Sequence, residues 1–288
     1  MKSKAKRIPI RPGSALADEF WETGKCGACP VYDMHGHMGD LASIYMPAGD
    51  ADAMVRIMDR AGVRVLCFSH HGALMAAEVG NEPSIAAVRR HPKRFRAYIA
   101  VNPHYPEVAR REMERFDAMK DVFVGFKFLA DYYEAPLSGE GHREALEFAN
   151  ERGLALLTHT WSGSVYDGPE EVMRVAGKYP NVTFILGHSF NDDWQEAADV
   201  ARDYPNTYLE LTSVLGRRGV VEFFCGHVGS GRLLFGVDLP WFEEHHGIGA
   251  LLSCDITDDD IHNICHRNAE GILKRLAERG VDVGDLLE

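Results

Sequence analysis

What the chain lacks narrows it first. Nowhere in its 288 residues are there the ~20 consecutive apolar residues of a bilayer-spanning helix, and no apolar segment follows the basic start MKSKAKRIPIR, so neither a span nor a secretory leader is expected. Positive charge is scarce: 31 Lys and Arg stand against 43 Asp and Glu, for a formal charge of -12. That excludes a phosphate-tracking nucleic-acid surface, or an anionic membrane, as the main partner. Cysteine is sparse as well, and six in a chain this long predict reduced thiols in a cytoplasmic setting. Cys26-Gly-Ala-Cys29 has no second CxxC to accompany it, and the pair reads as two reduced cysteines in the turn before a strand. No low-complexity linker divides the chain.

What is present is a recurring unit. Short apolar runs begin near positions 30, 62, 95, 122, 154, 182, 206 and 232, most of them nearly continuous in Val, Ile, Leu and Phe. Continuous runs, as opposed to alternating ones, mark parallel strands covered on both faces. Between them lie stripes with helical spacing, such as Met54, Val55, Met58 and Ala61, or Trp194, Ala197, Ala198 and Ala201. Thr257-Asp-Asp-Asp260 gives a capping-box-like start to the last helical stretch. Eight strand-helix units predict an α/β protein of the (β/α)8 TIM-barrel class, a single domain over residues 31–288 preceded by an N-terminal arm and lead-in over 1–30. A doubly wound sheet would want a glycine-rich phosphate turn after its first strand, and Gly36-His-Met-Gly39 is not one.

In such a barrel the chemistry sits at the carboxyl ends of the strands. The first run ends in His35 and His37, the fifth in Thr158-His159, the sixth in Gly187-His188 and the eighth in Gly236-Val-Asp238, while Lys127 and Glu210 lie on the fourth and seventh. Any one of these alone reads as a hydrogen-bonded, partly buried residue. Their coincidence changes the reading, because burying three histidine-bearing strand ends and an aspartate together without an ion leaves a poorly satisfied polar cluster. The other histidines carry less. His70-His71 could face the same mouth and His245-His246 its rim, whereas His91, His142, His262 and His266 fall on helical stretches, where a solvated role is the default. Trp161 and Phe190 are candidate pocket walls.

These motifs resemble the amidohydrolase superfamily, specifically its amidohydrolase-2 group of metal-dependent barrels. Asp33-x-His35-x-His37 is similar to the strand-one signature, Leu157-Thr-His159 to the strand-five ligand, Ile185-Leu-Gly-His188 to the strand-six histidine and Phe235-Gly-Val-Asp238-x-Pro240 to the strand-eight aspartate. The likeness runs from about Val31 to the end, with Val237 standing where serine is common in relatives. It implies that His35, His37, His159 and Asp238 ligate one divalent ion, Zn2+ foremost with Mn2+ or Fe2+ also acceptable, and that His188 positions substrate or water. Three roles suit Lys127: a cation for a substrate carboxylate, an inward lysine paired with Glu210, or a carbamate bridging two ions.

The activity so implied is hydrolysis of a small carboxylated amide, ester or lactone. Asp238 would carry the proton of a metal-activated water, and His188 would orient that water or stabilise the oxyanion. The alternative is a non-oxidative decarboxylase or hydratase of an aromatic or unsaturated carboxylic acid using the same site. A silent metal-binding scaffold is the third reading. The expected partner is a small-molecule carboxylate; relatives commonly form dimers, which makes a homodimer the oligomer to test for.

Overall fold

A computed structural model describes residues 11–41, 44–76 and 79–287; the basic start of the expected N-terminal arm lies, but for Arg11, outside them. Eight parallel strands pair in sequence order: β1 (Val31–Met38), β2 (Val63–His70), β3 (Phe95–Val101), β4 (Phe123–Phe128), β5 (Ala155–His159), β6 (Thr183–Gly187), β7 (Thr207–Glu210) and β8 (Leu233–Leu234). Helices alternate with them: α1 (Ala15–Thr23), α2 (Ala51–Ala61), α3 (His71–Met75), α4 (Glu82–Arg90), α5 (Pro106–Glu114), α6 (Glu140–Arg152), α7 (Pro169–Lys178), α8 (Trp194–Asp203), α9 (Val220–Val228), α10 (Glu244–Leu252), α11 (Asp258–His262) and α12 (Asn268–Glu278). This is the (β/α)8 barrel the apolar runs predict.

The local reasons are visible in the sequence. Every residue of β1, β3, β4 and β5 is buried, as strands walled by helices outside and side chains inside must be. Gly62 and Gly153 end α2 and α6 in the left-handed conformation that suits glycine. Thr257 and Asp260 form a reciprocal capping box at the start of α11. One helix was not foreseen: α1 lies within the lead-in and buries Leu16, Ala17 and Phe20.

The seam between the last strand and the first is the irregular part. Only Leu233 and Leu234 join the ladder with β7. Beyond them the chain pairs with β1 instead: Met34 N–H donates to the Phe235 carbonyl (3.0 Å), Asp238 N–H to that of His35 (2.8 Å) and His37 N–H to that of Leu239 (2.6 Å). That pairing closes the barrel. It also sets Asp238 beside the histidines of β1.

Candidate metal centre

Side chains two apart on a strand share a face, and His35 and His37 accordingly project together at the carboxyl end of β1, their ring centroids 5.5 Å apart. Ligand atoms of His35, His37 and His159 lie within 4.8 Å of one another, as do those of His35, His188 and Asp238. His37 Nε2 is 3.1 Å from Asp238 Oδ1, and His35 Nε2 is 3.8 Å from the same oxygen. The rings of His159 and His188 stand 4.7 Å apart. All five side chains are thus gathered at one mouth, although they come from four separated parts of the chain.

Neighbours fix the orientation of each imidazole. His35 Nδ1 donates to Glu210 Oε2 at 2.8 Å, leaving Nε2 with its lone pair turned to the cluster, where Lys127 Nζ lies 3.0 Å away. His37 Nδ1 is 3.0 Å from Ser69 Oγ. Ser213 Oγ lies 3.3 Å from His188 Nδ1, and Trp161 stacks on that ring at 4.6 Å. His159 turns Nδ1 toward Asp131 Oδ1 at 3.5 Å. A carboxylate behind a ligating imidazole fixes its tautomer and raises its basicity. Glu210 stands in that relation to His35.

The electrostatics follow from burial. It drives His35 and His188 well below the ordinary histidine range and His159 down to about 4, so the rings are neutral at pH 7 and able to donate lone pairs. Burial also brings Lys127 down to about 8 against the pull of Asp238 and Glu210, and pushes Glu210 up to about 7. Burial disfavours the ionised form of Asp238 too, but the nearby charge of His37, followed by His188 and Lys127, holds its carboxyl well below the usual range.

Two observations test whether a divalent ion fits here. The buried Asp238 Oδ1 and His159 Nδ1 make no hydrogen bond, an expense that a bound cation removes for the carboxylate. The second is the glycines that let these groups converge. A Cβ on Gly236 would lie 2.2 Å from Glu210 Oε1 and 2.9 Å from His35 Cβ, and one on Gly187 would lie 2.8 Å from the Thr158 carbonyl and 3.1 Å from the His35 ring. Asp238 itself has φ of 67° and His188 of 68°, a left-handed backbone that non-glycine residues hold only where their surroundings enforce it. An imidazole-rich set with one carboxylate suits zinc, manganese or iron. The site fits an ion.

Above it opens a cavity of about 200 Å3, walled by Tyr132, Trp161, Trp241, Phe242, His71 and Leu129 among others. His71 faces the mouth: its ring stacks on His37 at 4.9 Å, and Trp241 Nε1 donates to its Nε2 at 3.0 Å. His70 instead caps α3, His246 lines a neighbouring pocket and His245 lies with Glu243 at the surface. Trp161 is a wall as expected, whereas Phe190 is fully buried and lines no part of this cavity.

Several expectations need correction. Lys127 contacts His35, and the groups bonded to Glu210 are His35 and the backbone of Thr212 and His188, so the Lys127–Glu210 pairing is not formed. His142 is fully buried, with Nδ1 donating to the Pro136 carbonyl at 2.9 Å. His91 is bound to Asp52, and His262 and His266 are bonded to each other; none of these three is simply solvated. Ser69, Asp131, Tyr132, Ser213, Trp241 and Phe242 went unread in the sequence. All but Ser69, which lies on β2, are loop positions with no periodic signal, and only the aromatic pair Trp241-Phe242 after the strand-eight aspartate hinted at a wall.

Comparisons with known proteins agree with the barrel fold. No curated protein sequence matches the chain significantly. Among solved structures, an uncharacterised TIM-barrel protein from Bordetella bronchiseptica superposes with a TM-score of 0.72 at 17% identity, covering 86% of this chain and 99% of its own. A dihydroxybenzoic acid decarboxylase from Polaromonas, solved with manganese and 2-nitroresorcinol, gives 0.68 at 19% identity over 88% and 100% of the two chains. A probable 2-pyrone-4,6-dicarboxylic acid hydrolase from Acinetobacter baumannii gives 0.61 at 12% identity over 85% and 99%. The amidohydrolase family model matches residues 32–275, almost the whole barrel, and this chain therefore belongs to the amidohydrolase family of metal-dependent enzymes.

Proposed function

We propose that the protein is a metal-dependent, non-oxidative decarboxylase of a small single-ring aromatic acid. The observation that carries this reading is where positive charge is, and is not, placed. Among the described residues no lysine or arginine lines the 200 Å3 cavity, and Lys127 is fully buried outside that lining, its Nζ 3.0 Å from His35 Nε2. A hydrolase that puts an amide or lactone carbonyl at the metal needs a second, distant cation for the substrate's carboxylate. A decarboxylase needs none, since its carboxylate is the reacting group and belongs at the floor.

Size and shape agree. An apolar cavity of ~150 Å3 is enough to hold benzene, and this one is only slightly larger. Tyr132, Trp161, Trp241 and Phe242 offer flat faces to a planar ring. Tyr132, Trp241 and Phe242 are exposed at the mouth, so an entering ring also removes apolar surface from water. The decarboxylase from Polaromonas, solved with a flat nitroaromatic inhibitor, lends further support.

His35, His37, His159 and Asp238 would hold the ion, with Zn2+ or Mn2+ suited to the set. When bound, such an ion supplies positive charge that orients the substrate and stabilises negative charge developing on its oxygens. Asp238, kept anionic, takes a proton from a ring hydroxyl or from solvent and delivers it to the ring carbon that bears the carboxylate. The bond to the carboxylate carbon then breaks, its electron pair returns to the ring and carbon dioxide leaves. His188, held between Trp161 and Ser213, donates to the substrate's oxygens, and Lys127 offsets the negative charge of the carboxylate from below.

The test is to load the purified protein with Mn2+ or Zn2+ and supply carboxyl-labelled hydroxybenzoates alongside lactones and pyrones. Labelled carbon dioxide from at least one hydroxybenzoate is expected. Ring opening of a lactone with no carbon dioxide from any acid would overturn decarboxylation in favour of hydrolysis.

A further inference from the structure

The CxxC segment left unused at the sequence level meets an unexpected partner. Cys29 ends the turn before β1, and its thiol lies within 4.8 Å of the ligand atoms of both His262 and His266. These two histidines sit one helical turn apart, His262 closing α11 and His266 within the π-helical turn Asn263–Arg267 that joins α11 to α12. Their facing nitrogens, His262 Nδ1 and His266 Nε2, are 3.0 Å apart. Two nitrogens bound to one tetrahedral zinc at ~2.0–2.1 Å would stand about 3.4 Å apart. The pair is already nearly at that spacing.

Glu270 supplies the second observation. Four residues beyond His266 and on the same helix face, it accepts from His266 Nδ1 at 2.8 Å. That bond assigns the hydrogen of His266 to Nδ1 and leaves the lone pair of Nε2 aimed at the cluster. It is the carboxylate-behind-imidazole arrangement of metal sites, repeated here well away from the barrel mouth. Two more thiols adjoin: Cys265 lies beside the Cys29 thiol, and Cys26 is near both. Cys26, Cys29 and Cys265 are all buried, and none of the six cysteines is in a disulfide.

We propose that Cys29, His262 and His266 form a second, structural metal site for a thiolate-preferring divalent ion such as Zn2+, its fourth position taken by Cys265 or Cys26. Binding converts the Cys29 thiol to a thiolate and releases its proton to solvent; a second proton leaves with the second thiol, and no electron is transferred. A redox role for the CxxC is the poorer fit. Reactive CxxC thiols draw activation from a helix N-terminus, whereas Cys26 follows the C-terminal end of α1, and Cys29 leads into a strand.

Its place in the fold gives the ion a purpose. Cys29 is at the opposite end of β1 from His35, and the six intervening steps of extended chain span roughly 20 Å, so the two sites are independent. The π-turn is tied to β8: Phe235 N–H donates to the Ile264 carbonyl at 3.1 Å, and Asn268 Nδ2 donates to that of Leu233 at 2.7 Å. An ion shared by Cys29 and this turn clamps β1 to β8 at the seam where the strand ladder is shortest.

Cobalt reads the two sites separately, because only this one offers sulfur. The full-length protein, stripped with a chelator under reducing conditions and reloaded with Co2+, is expected to bind two equivalents and to show thiolate-to-Co2+ charge-transfer absorption. Cys29→Ser should abolish the absorption and one equivalent, whereas Asp238→Asn should leave the absorption intact. Glu270→Gln, an isosteric change at a partly buried position, should weaken Co2+ binding at this site by about 10- to 100-fold. C26S and C265S identify the fourth donor by which one diminishes the band. A single equivalent with no thiolate band in the wild-type protein, or a Cys26–Cys29 disulfide that persists under reducing conditions, would overturn the site. Either result leaves the reading of the barrel mouth untouched.

Discussion

His35 and Glu210 are joined through Nδ1 and Oε2 at 2.8 Å, both side chains wholly buried. Their bond turns the other nitrogen of His35 toward Asp238, His37 and Lys127. The seventh strand therefore acts on the first. Glu210→Gln keeps the shape but removes the charge behind the imidazole, so the affinity for Zn2+ or Mn2+ should fall about 10- to 100-fold with the fold retained. Competition with a chelating dye measures it, and unchanged affinity would mean that Glu210 is only a packing residue.

Asp238 accounts for a different quantity. Asp238→Asn retains an oxygen donor but cannot take up and return a proton, so kcat should drop by about 100- to 10,000-fold while metal content changes far less. Steady-state kinetics on metal-replete enzyme decides this. A loss confined to KM would show that the carboxylate serves binding alone.

Gly236 tests how tightly the site is built. Gly236→Ala places a methyl group against Glu210 Oε1 and His35 Cβ, and crowding a packed interior in this way costs about 1–3 kcal/mol. Urea unfolding should show that loss together with reduced metal content. Wild-type stability and metal occupancy would contradict the packing described.

Much of this was legible before any coordinates. Parallel strands buried on both faces are written as unbroken apolar runs, and a polar residue ending such a run stands out: His35, His37, His159, His188 and Asp238 did so. The supports did not. Ser69 and Ser213 are ordinary residues until something is seen to lean on them, and Tyr132 and Phe242 sit on loops with no repeat to reveal them. His262 and His266 share a helix face, which an exposed stripe also does; their partner Cys29 is brought to them only by barrel closure. His142 misled for a related reason, since a lone histidine on an amphipathic helix does not disclose which side of the polar boundary it takes.

That histidine yields a prediction for acid stability. Burial, opposed by the Pro136 carbonyl, lowers His142 from 6.5 to about 4, with His104 and Glu171 the titratable groups nearby. Its ring stacks on Phe128 at 4.5 Å. Because the unfolded chain takes up this proton first as pH falls, the group's contribution is complete above about pH 6.5. It is lost progressively down to about pH 4, by up to about 3 kcal/mol. His142→Asn should therefore be less stable than wild type at pH 7, with the gap closing by pH 4.5 in denaturant titrations. Parallel profiles for the two proteins would contradict the assignment.

The convergence of imidazoles and carboxylate on one ion is tested most directly by anomalous diffraction from a crystal of the Zn2+-loaded protein. A peak at the barrel mouth, about 2.0–2.2 Å from nitrogens of His35, His37 and His159 and an oxygen of Asp238, is the predicted result. A Zn2+-saturated crystal with no peak among these four side chains would contradict the account.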